Sequence, residues 1–229
     1  MKVSEKIPME ELHVSGIAPN VKIKETPVGS NFKSLHEFVS QYNSKDAGFN
    51  LANFETKWHL FATKENQTKW NDAELKNWIE ITGLLQELTN NTEYVEELEN
   101  VLLKTGTRFE PNIVPFVFTK RVDHIYVNLF RPLEINYKHS LGGDVKFSQE
   151  CNYPKSGTVK MHFSMTERRY IELYIRIPSW AEGTTVTVKK VKYFTSPGSY
   201  CLIAKKWKEG DLVEVEFPID KMPSNGNSL

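Results

Sequence analysis

The run YIELYIRIPSWAEGTTVTV, residues 170–188, decides the fold. Ile171, Leu173, Ile175 and Ile177 alternate with Glu172, Tyr174 and Arg176. A period of two places the four branched aliphatic side chains on one face of a strand. Burying each is worth roughly 1.5–3 kcal/mol, so such a strand can anchor a core. Pro178 denies the ladder an N–H and ends the run. Trp180 follows at the exit, Gly183 supports a turn, and Thr184 to Val188 alternates again with Val186 and Val188 in phase. The pattern reads as a strand, a corner carrying an aromatic ring, and a second strand.

Outward from this stretch, the same period runs through the C-terminal half. It predicts strands over 113–119, 124–131, 133–138, 144–150, 158–164, 170–177, 184–190, 199–205 and 211–217. Gly142-Gly143, Pro154 to Gly157, Pro197-Gly198 and Glu209-Gly210 punctuate them. Short strands at this spacing predict a β-sandwich. Before Pro111 the period is helical. Leu75, Trp78, Ile79, Leu85 and Leu88 form one stripe behind Asn71-Asp72-Ala73-Glu74, which resembles a capping box. Thr92 is the expected cap of a second helix with Glu93, Glu96 and Glu97 in its first turns, buried through Tyr94, Leu98, Val101 and Leu102, and stopped at Gly106. A helix is also expected over 32–42, and 47–62 is aromatic-rich and ambiguous. Residues 1–30 read as an extended arm that packs onto something rather than as an element. The fold class is α+β: an N-terminal helical remnant packed on a C-terminal antiparallel β-sandwich. The expected domains are 1–110, mostly helical with the arm, 111–222, the sandwich, and a tail at 223–229.

Composition excludes several functions. The 29 basic and 29 acidic residues cancel, and no long block of like charge occurs, so neither nucleic acid nor a membrane surface is an expected partner. No apolar run approaches the roughly 18 residues of a membrane span. The first residues lack the apolar core of a secretory signal, which leaves a cytoplasmic location, or a periplasmic one with the signal removed. Cys151 and Cys201 make neither a disulfide scaffold nor a zinc knuckle, and two separate thiols are favoured over a bridge. The six histidines are scattered without metal-ligand spacing, and HExxH, CxxC, GxSxG and glycine-rich phosphate loops are absent. The aromatic residues of the β half are the remaining candidates. Trp180, Trp207, Tyr153 and Tyr126 either plug the ends of the sandwich, the reading favoured for the two tryptophans, or offer faces on which a sugar ring stacks.

Several motifs in order carry a family likeness: Tyr126-Val127-Asn128-Leu129-Phe130; Gln149-Glu150 with Tyr153-Pro154 and Ser156-Gly157-Thr158-Val159; Arg176-Ile177-Pro178-Ser179-Trp180-Ala181; Pro197-Gly198-Ser199-Tyr200; and Trp207-Lys208-Glu209-Gly210-Asp211. Together, over roughly 113–222, they resemble the β-sandwich that follows the catalytic domain in glycoside hydrolase family 127, the bacterial β-L-arabinofuranosidase-type enzymes. Lys189-Lys190 stands where an Asn-Gly hairpin is usual and predicts a different turn. The helices over 73–103 resemble more weakly those closing the family's helical barrel, with Leu88-Thr89-Asn90-Asn91 at a turn.

For chemistry, the resemblance implies a zinc ion held by cysteines and a glutamate, with one thiolate as nucleophile. The family's Glu-x-Cys falls on Asn71 and Ala73, Lys104-Thr105-Gly106 stands where paired cysteines belong, and Cys151 and Cys201 match no ligand position. The expectation is a non-catalytic, carbohydrate-associated relative with no catalytic residue, metal or cofactor, and with an oligosaccharide as its partner. Two alternatives stand beside it. One is an active glycoside hydrolase with a carboxylate site rebuilt from Glu110, Glu134 or Glu150. The other is an assembly partner of a longer hydrolase or of itself, through exposed aromatic surface such as Trp58 and Trp70.

Overall fold

The computed structural model describes residues 13–16, 18–21, 71–89, 91–105 and 110–223. The expected helix over 32–42, the aromatic segment over 47–62, Trp58, Trp70, Gly106 and most of the tail lie outside them. The chain divides into two compact units, residues 24–114 and residues 1–23 with 115–229.

In the first unit, α1 (Asp72–Thr89) and α2 (Thr92–Thr105) pack on each other, followed by the single turn α3 (Glu110–Ile113). The helical stripe is buried as its spacing predicts: Trp78, Ile79 and Leu85 in α1, and Tyr94, Val95, Leu98, Val101 and Leu102 in α2. Asn71 caps α1, its Oδ1 accepting the Ala73 N–H at 3.0 Å. The cap of α2 is one residue earlier than expected. Asn91 Oδ1 accepts the Glu93 N–H at 3.0 Å, so Thr92 is already helical.

The second unit is a two-sheet sandwich. Its strands are β1 (His13–Gly16), β2 (Ala18–Val21), β3 (Phe118–Arg121), β4 (His124–Val127), β5 (Leu133–Lys138), β6 (Asp144–Cys151), β7 (Thr158–Met165), β8 (Arg169–Ile177), β9 (Thr185–Val188), β10 (Val191–Tyr193), β11 (Ser199–Trp207) and β12 (Asp211–Glu216). One sheet runs β10-β9-β12-β7-β6-β5-β1-β2 and the other β11-β8-β4-β3. The strand that opened the sequence reading, β8, is central in the smaller sheet, and its Ile171, Leu173, Ile175 and Ile177 are fully buried. Ring pairs close the space between the sheets: Phe118 lies edge-on to Phe147 at 5.3 Å, and Trp207 stacks on Phe163 at 4.2 Å.

Four features differ from the sequence reading. The arm forms an element: β1 pairs antiparallel with β5, with Val14 opposite Ile135. Residues 113–116 continue a helical turn and a 3-10 turn rather than a strand, so β3 begins at Phe118. The sandwich is not wholly antiparallel, since β4 runs parallel to β8 with Tyr126 beside Tyr174. Lastly, Lys189 and Lys190 form a two-residue hairpin turn with φ of 49° and 70°, joining β9 to the unexpected β10. Positive φ at both positions is the conformation for which Asn-Gly is normally chosen, so the turn is the usual one made from unusual residues. Part of the strain is offset where Lys189 Nζ reaches the buried Asp211 carboxylate at 2.6 Å.

Candidate functional site

The two outer faces of the sandwich differ in chemistry. On the larger sheet, Lys146, Glu150, Lys160, Glu214 and Glu216 are exposed, an ordinary solvated face. On the smaller sheet the outward phase of β8 carries Tyr170, Glu172, Tyr174 and Arg176. The parallel register brings His124 beside Glu172 and Tyr126 beside Tyr174. Glu172 organises this row. Its Oε2 accepts from the Tyr174 hydroxyl at 2.7 Å and lies 3.5 Å from His124 Nε2, and its Oε1 accepts from the Tyr170 hydroxyl at 3.3 Å. Tyr174 stacks on Tyr126 at 4.4 Å, and Tyr126 meets the edge of Tyr200 at 5.5 Å. Burial and then the hydrogen bond and charge of Glu172 push the Tyr174 hydroxyl well above its ordinary value, and Tyr170 moves the same way. Both phenols therefore stay neutral donors. Deeper in the sheet, Tyr200 donates to Asn128 Oδ1 at 2.6 Å, and the fully buried Arg176 donates from Nε to the Asn128 carbonyl at 2.6 Å.

The four aromatic candidates do not converge. Trp207 is fully buried, stacked on Phe163, with Nε1 donating to the Ile171 carbonyl at 2.9 Å and Lys205 Nζ 4.6 Å over the ring. It offers no face to a sugar and plugs the core. Half-buried Trp180 and buried Tyr153 flank Phe217, with ring centroids at 6.3 and 5.9 Å from it. Of the four, Tyr126 alone belongs to the tyrosine row, where it is 8% exposed beneath its neighbours. Of the more accessible members, Tyr170 and Tyr174 are among the aromatic residues of the β half without being singled out, and Glu172 and His124 were missed by sequence reasoning. The alternation of β8 marked three of them as outward-facing, but the parallel register that adds His124 has no local signal.

Two of the carboxylates offered for a rebuilt glycosidase site, Glu134 and Glu150, lie on the adjacent strands β5 and β6. Glu134 and Glu150 sit on the solvated face of the larger sheet. Glu134 turns to Lys146 at 2.7 Å, and the exposed Glu150 turns to His162 at 3.7 Å on the next strand. Glycoside hydrolysis needs two carboxyl groups facing one bond, about 5–9.5 Å apart across a cleft, whereas Glu134 and Glu150 are each turned to a basic partner. Nothing is described of the Glu110 side chain.

Among the described residues no zinc–thiolate donor set is gathered. Zinc needs deprotonated sulfur, imidazole or carboxylate donors converging on one point. At the two positions implied by the resemblance, Asn71 spends its amide oxygen on the helix cap and Ala73 has no donor. Among the described residues no three His, Cys, Asp or Glu side chains gather as a metal site would require. The thiols are held in their protonated form. Burial pushes Cys201 up to about 11, and it raises Cys151 despite a backbone hydrogen bond at Tyr153 and the charge of Arg131. The two cysteines are free of each other, and sit on β6 and β11 of different sheets.

With the architecture in hand, the class is that of a two-sheet β-sandwich with a tyrosine row on the outer face of its smaller sheet. Residues 124–219 match the family model described as Beta-L-arabinofuranosidase, GH127 middle domain. Among solved structures, a GH127 beta-L-arabinofuranosidase from Geobacillus stearothermophilus T6 superposes with a TM-score of 0.52 at 22% identity, covering 64% of this chain and 31% of that one. A second GH127 beta-arabinofuranosidase gives a TM-score of 0.56 at 21% identity, with 63% and 31% covered. A third structure, described as a glycoside hydrolase, gives 0.51 at 18%, with 61% and 31% covered. At these identities the likeness is one of fold. The matched region spans about a third of the length of those enzymes. No curated protein matches the chain. The sandwich is thus related to the GH127 middle domain in both sequence and fold, as its ordered motifs imply.

Proposed function

We propose that the chain is a non-catalytic, carbohydrate-associated relative of the GH127 enzymes, which keeps the sandwich without the zinc–thiolate centre. One observation carries the reading: where the resemblance expects a glutamate and a cysteine, an asparagine oxygen closes the first turn of a helix and an alanine methyl stands beside it. A cap and a methyl group supply neither a ligand nor a nucleophile. The protonated thiols of Cys151 and Cys201 support the same reading, because the thiolate is the attacking form. Carbohydrate association belongs to the outer face of the smaller sheet, where Tyr170 is half exposed beside a carboxylate and a histidine. Hydroxylated rings stack on tyrosine and exchange hydrogen bonds with such groups.

The test is a pair of measurements on the full chain. Nitrophenyl furanosides and pyranosides, assayed with and without added zinc, are expected to show no turnover above buffer. Calorimetric titration with arabinose-containing oligosaccharides is expected to give heat that Tyr174→Ala abolishes. Turnover above buffer overturns the non-catalytic reading; flat titrations with all sugars overturn the carbohydrate reading.

A further inference from the structure

At one end of the sandwich, the β3–β4 turn and the β5–β6 turn meet around His139. The ring is 4% exposed, and each of its nitrogens faces a partner that has no choice of role. Nδ1 lies 3.1 Å from the Leu141 backbone N–H, which can only donate. Nε2 lies 3.0 Å from the Tyr170 carbonyl, which can only accept, and 3.3 Å from Asp123 Oδ2. The neutral tautomer with its proton on Nε2 meets these demands, and no other form does. Asp123 completes the junction: its carboxylate accepts from the Ser140 backbone N–H at 3.2 Å and from the Ser140 hydroxyl, while its carbonyl accepts the Glu172 N–H at 3.1 Å.

We propose that His139 is an acid-sensitive latch on the β5–β6 turn: the neutral ring holds the Leu141 N–H, and a ring that takes up a proton releases it, while the other bonds of the turn stay in place. The added proton goes on Nδ1, where it points at the Leu141 N–H, so donor faces donor and that hydrogen bond is lost. Asp123 makes the charged state reachable, since the imidazolium gains a charge-assisted bond from Nε2 to Oδ2 as the other side lets go. The output of the latch passes to the tyrosine row, because Asp123 and His139 hold the backbones of Glu172 and Tyr170.

Among the described residues, few charged and titratable groups surround the ring. Asp123 comes from the β3–β4 turn and is the one of them bonded to it. Lys120 on β3 is engaged with the Val122 carbonyl at 2.9 Å and lies over the Tyr137 ring at 4.8 Å. Tyr137 on β5 is held neutral, by burial first and then by the Asp123 charge. Arg169 on β8 bonds the Gly142 carbonyl at 2.8 Å and pairs with Glu167 at 2.7 Å, so it fastens the same turn from its far side. The Tyr170 and Glu172 side chains bond each other on the outer face.

The strain of the site agrees with a device under tension. Val122, beside Asp123, has φ of 53°, a conformation that β-branched residues rarely adopt. Leu141 is already 80% exposed, so releasing its N–H leaves no core side chain unpacked.

The experiment is nuclear magnetic resonance of the histidine-labelled full chain from about pH 8 to about pH 5, across the ordinary histidine range. The ring nitrogens are expected to show the Nε2–H tautomer at the alkaline end. As the His139 ring charges, protection of the Leu141 amide against exchange should fall about fivefold or more, the worth of one hydrogen bond. The Tyr170 and Glu172 resonances should move with the same midpoint. His139→Asn keeps an oxygen at the Nδ1 position, which can accept from the residue two further on, but it cannot titrate. It is expected to retain Leu141 protection, flat with pH, whereas His139→Ala loses protection throughout. An Nδ1–H tautomer, protection that is unchanged when the ring charges, a ring neutral until the chain unfolds, or an Asn variant that keeps the pH dependence would each overturn the proposal.

Discussion

Replacing Gly157 by alanine places a methyl group against backbone, with nowhere to go. A Cβ built on Gly157 would lie 3.0 Å from the Phe217 carbonyl carbon and closer still to its oxygen, inside any distance real Cβ atoms show. The Ile219 side chain stands 3.1 Å away on the other side. The close approach exists because Phe217 N–H donates to the Gly157 carbonyl at 3.0 Å, joining the start of β7 to the end of β12. Phe217 cannot simply retreat, since its ring is 5% exposed and packs on Phe130 at 4.6 Å. Overpacking of this kind costs about 1–3 kcal/mol or more, and the lost hydrogen bond adds about 1 kcal/mol. The expected destabilisation is therefore about 2–4 kcal/mol. With a urea slope of about 2 kcal/mol per molar, the unfolding midpoint falls by about 1–2 M. Gly210→Ala is the control. Its φ is 72° and nothing lies within 4 Å of the added carbon, so it carries only the backbone cost of about 1 kcal/mol. Equal losses for the two variants, or a Gly157→Ala midpoint within about 0.5 M of the parent, would refute the steric argument.

Further outcomes follow from the core. Trp207→Ala should cost about 3–5 kcal/mol in urea melts, while Trp207→Phe should cost markedly less, because it forfeits the Nε1 bond to Ile171 but fills most of the space. Asp211, 1% exposed in its side chain, meets Lys189 at 2.6 Å and Lys205 at 3.2 Å. Burial alone would raise its pKa, but the two lysines outweigh burial and leave it below the ordinary carboxylate value. A depressed folded-state value means that the unfolded chain binds the proton more readily. This stabilisation is full above about pH 4 and is lost as pH falls through the folded value. Asp211→Asn should therefore cost about 1–3 kcal/mol at pH 7, less than a sealed ion pair because Lys189 is half exposed, and should flatten the acid limb of the stability profile. Cys201, 3% exposed with its pKa pushed up to about 11, should resist a maleimide in the folded chain and react once urea unfolds it; fast labelling of the native chain would contradict its placement.

The sandwich was legible because alternation is a local property. β5 was read with its observed ends, and β6, β7, β8 and β12 to within a residue. Phase also held a signal that the functional reading passed over: Trp207 falls in step with Cys201 and Ile203, the buried side of β11, which marks it as core. Pairing was harder. The parallel contact of β4 with β8 joins residues about fifty apart, and the N-terminal strands are four residues long, too short for periodicity to register. The tyrosine row followed the same division. Tyr170, Glu172 and Tyr174 are written on one strand, whereas His124 and the His139–Asp123 junction depend on register between distant segments. At Lys189-Lys190, propensity argued against a turn that the ladder between β9 and β10 nevertheless imposes.

The central proposal is that the chain is a relative of the GH127 enzymes without a zinc–thiolate centre. Its most direct test is zinc per chain, measured by plasma mass spectrometry on protein grown with added zinc and desalted. The account predicts a trace amount, unchanged after chelation and unaffected when both cysteines are replaced. One zinc per chain, removable by chelator and lost on replacing a cysteine, would contradict it.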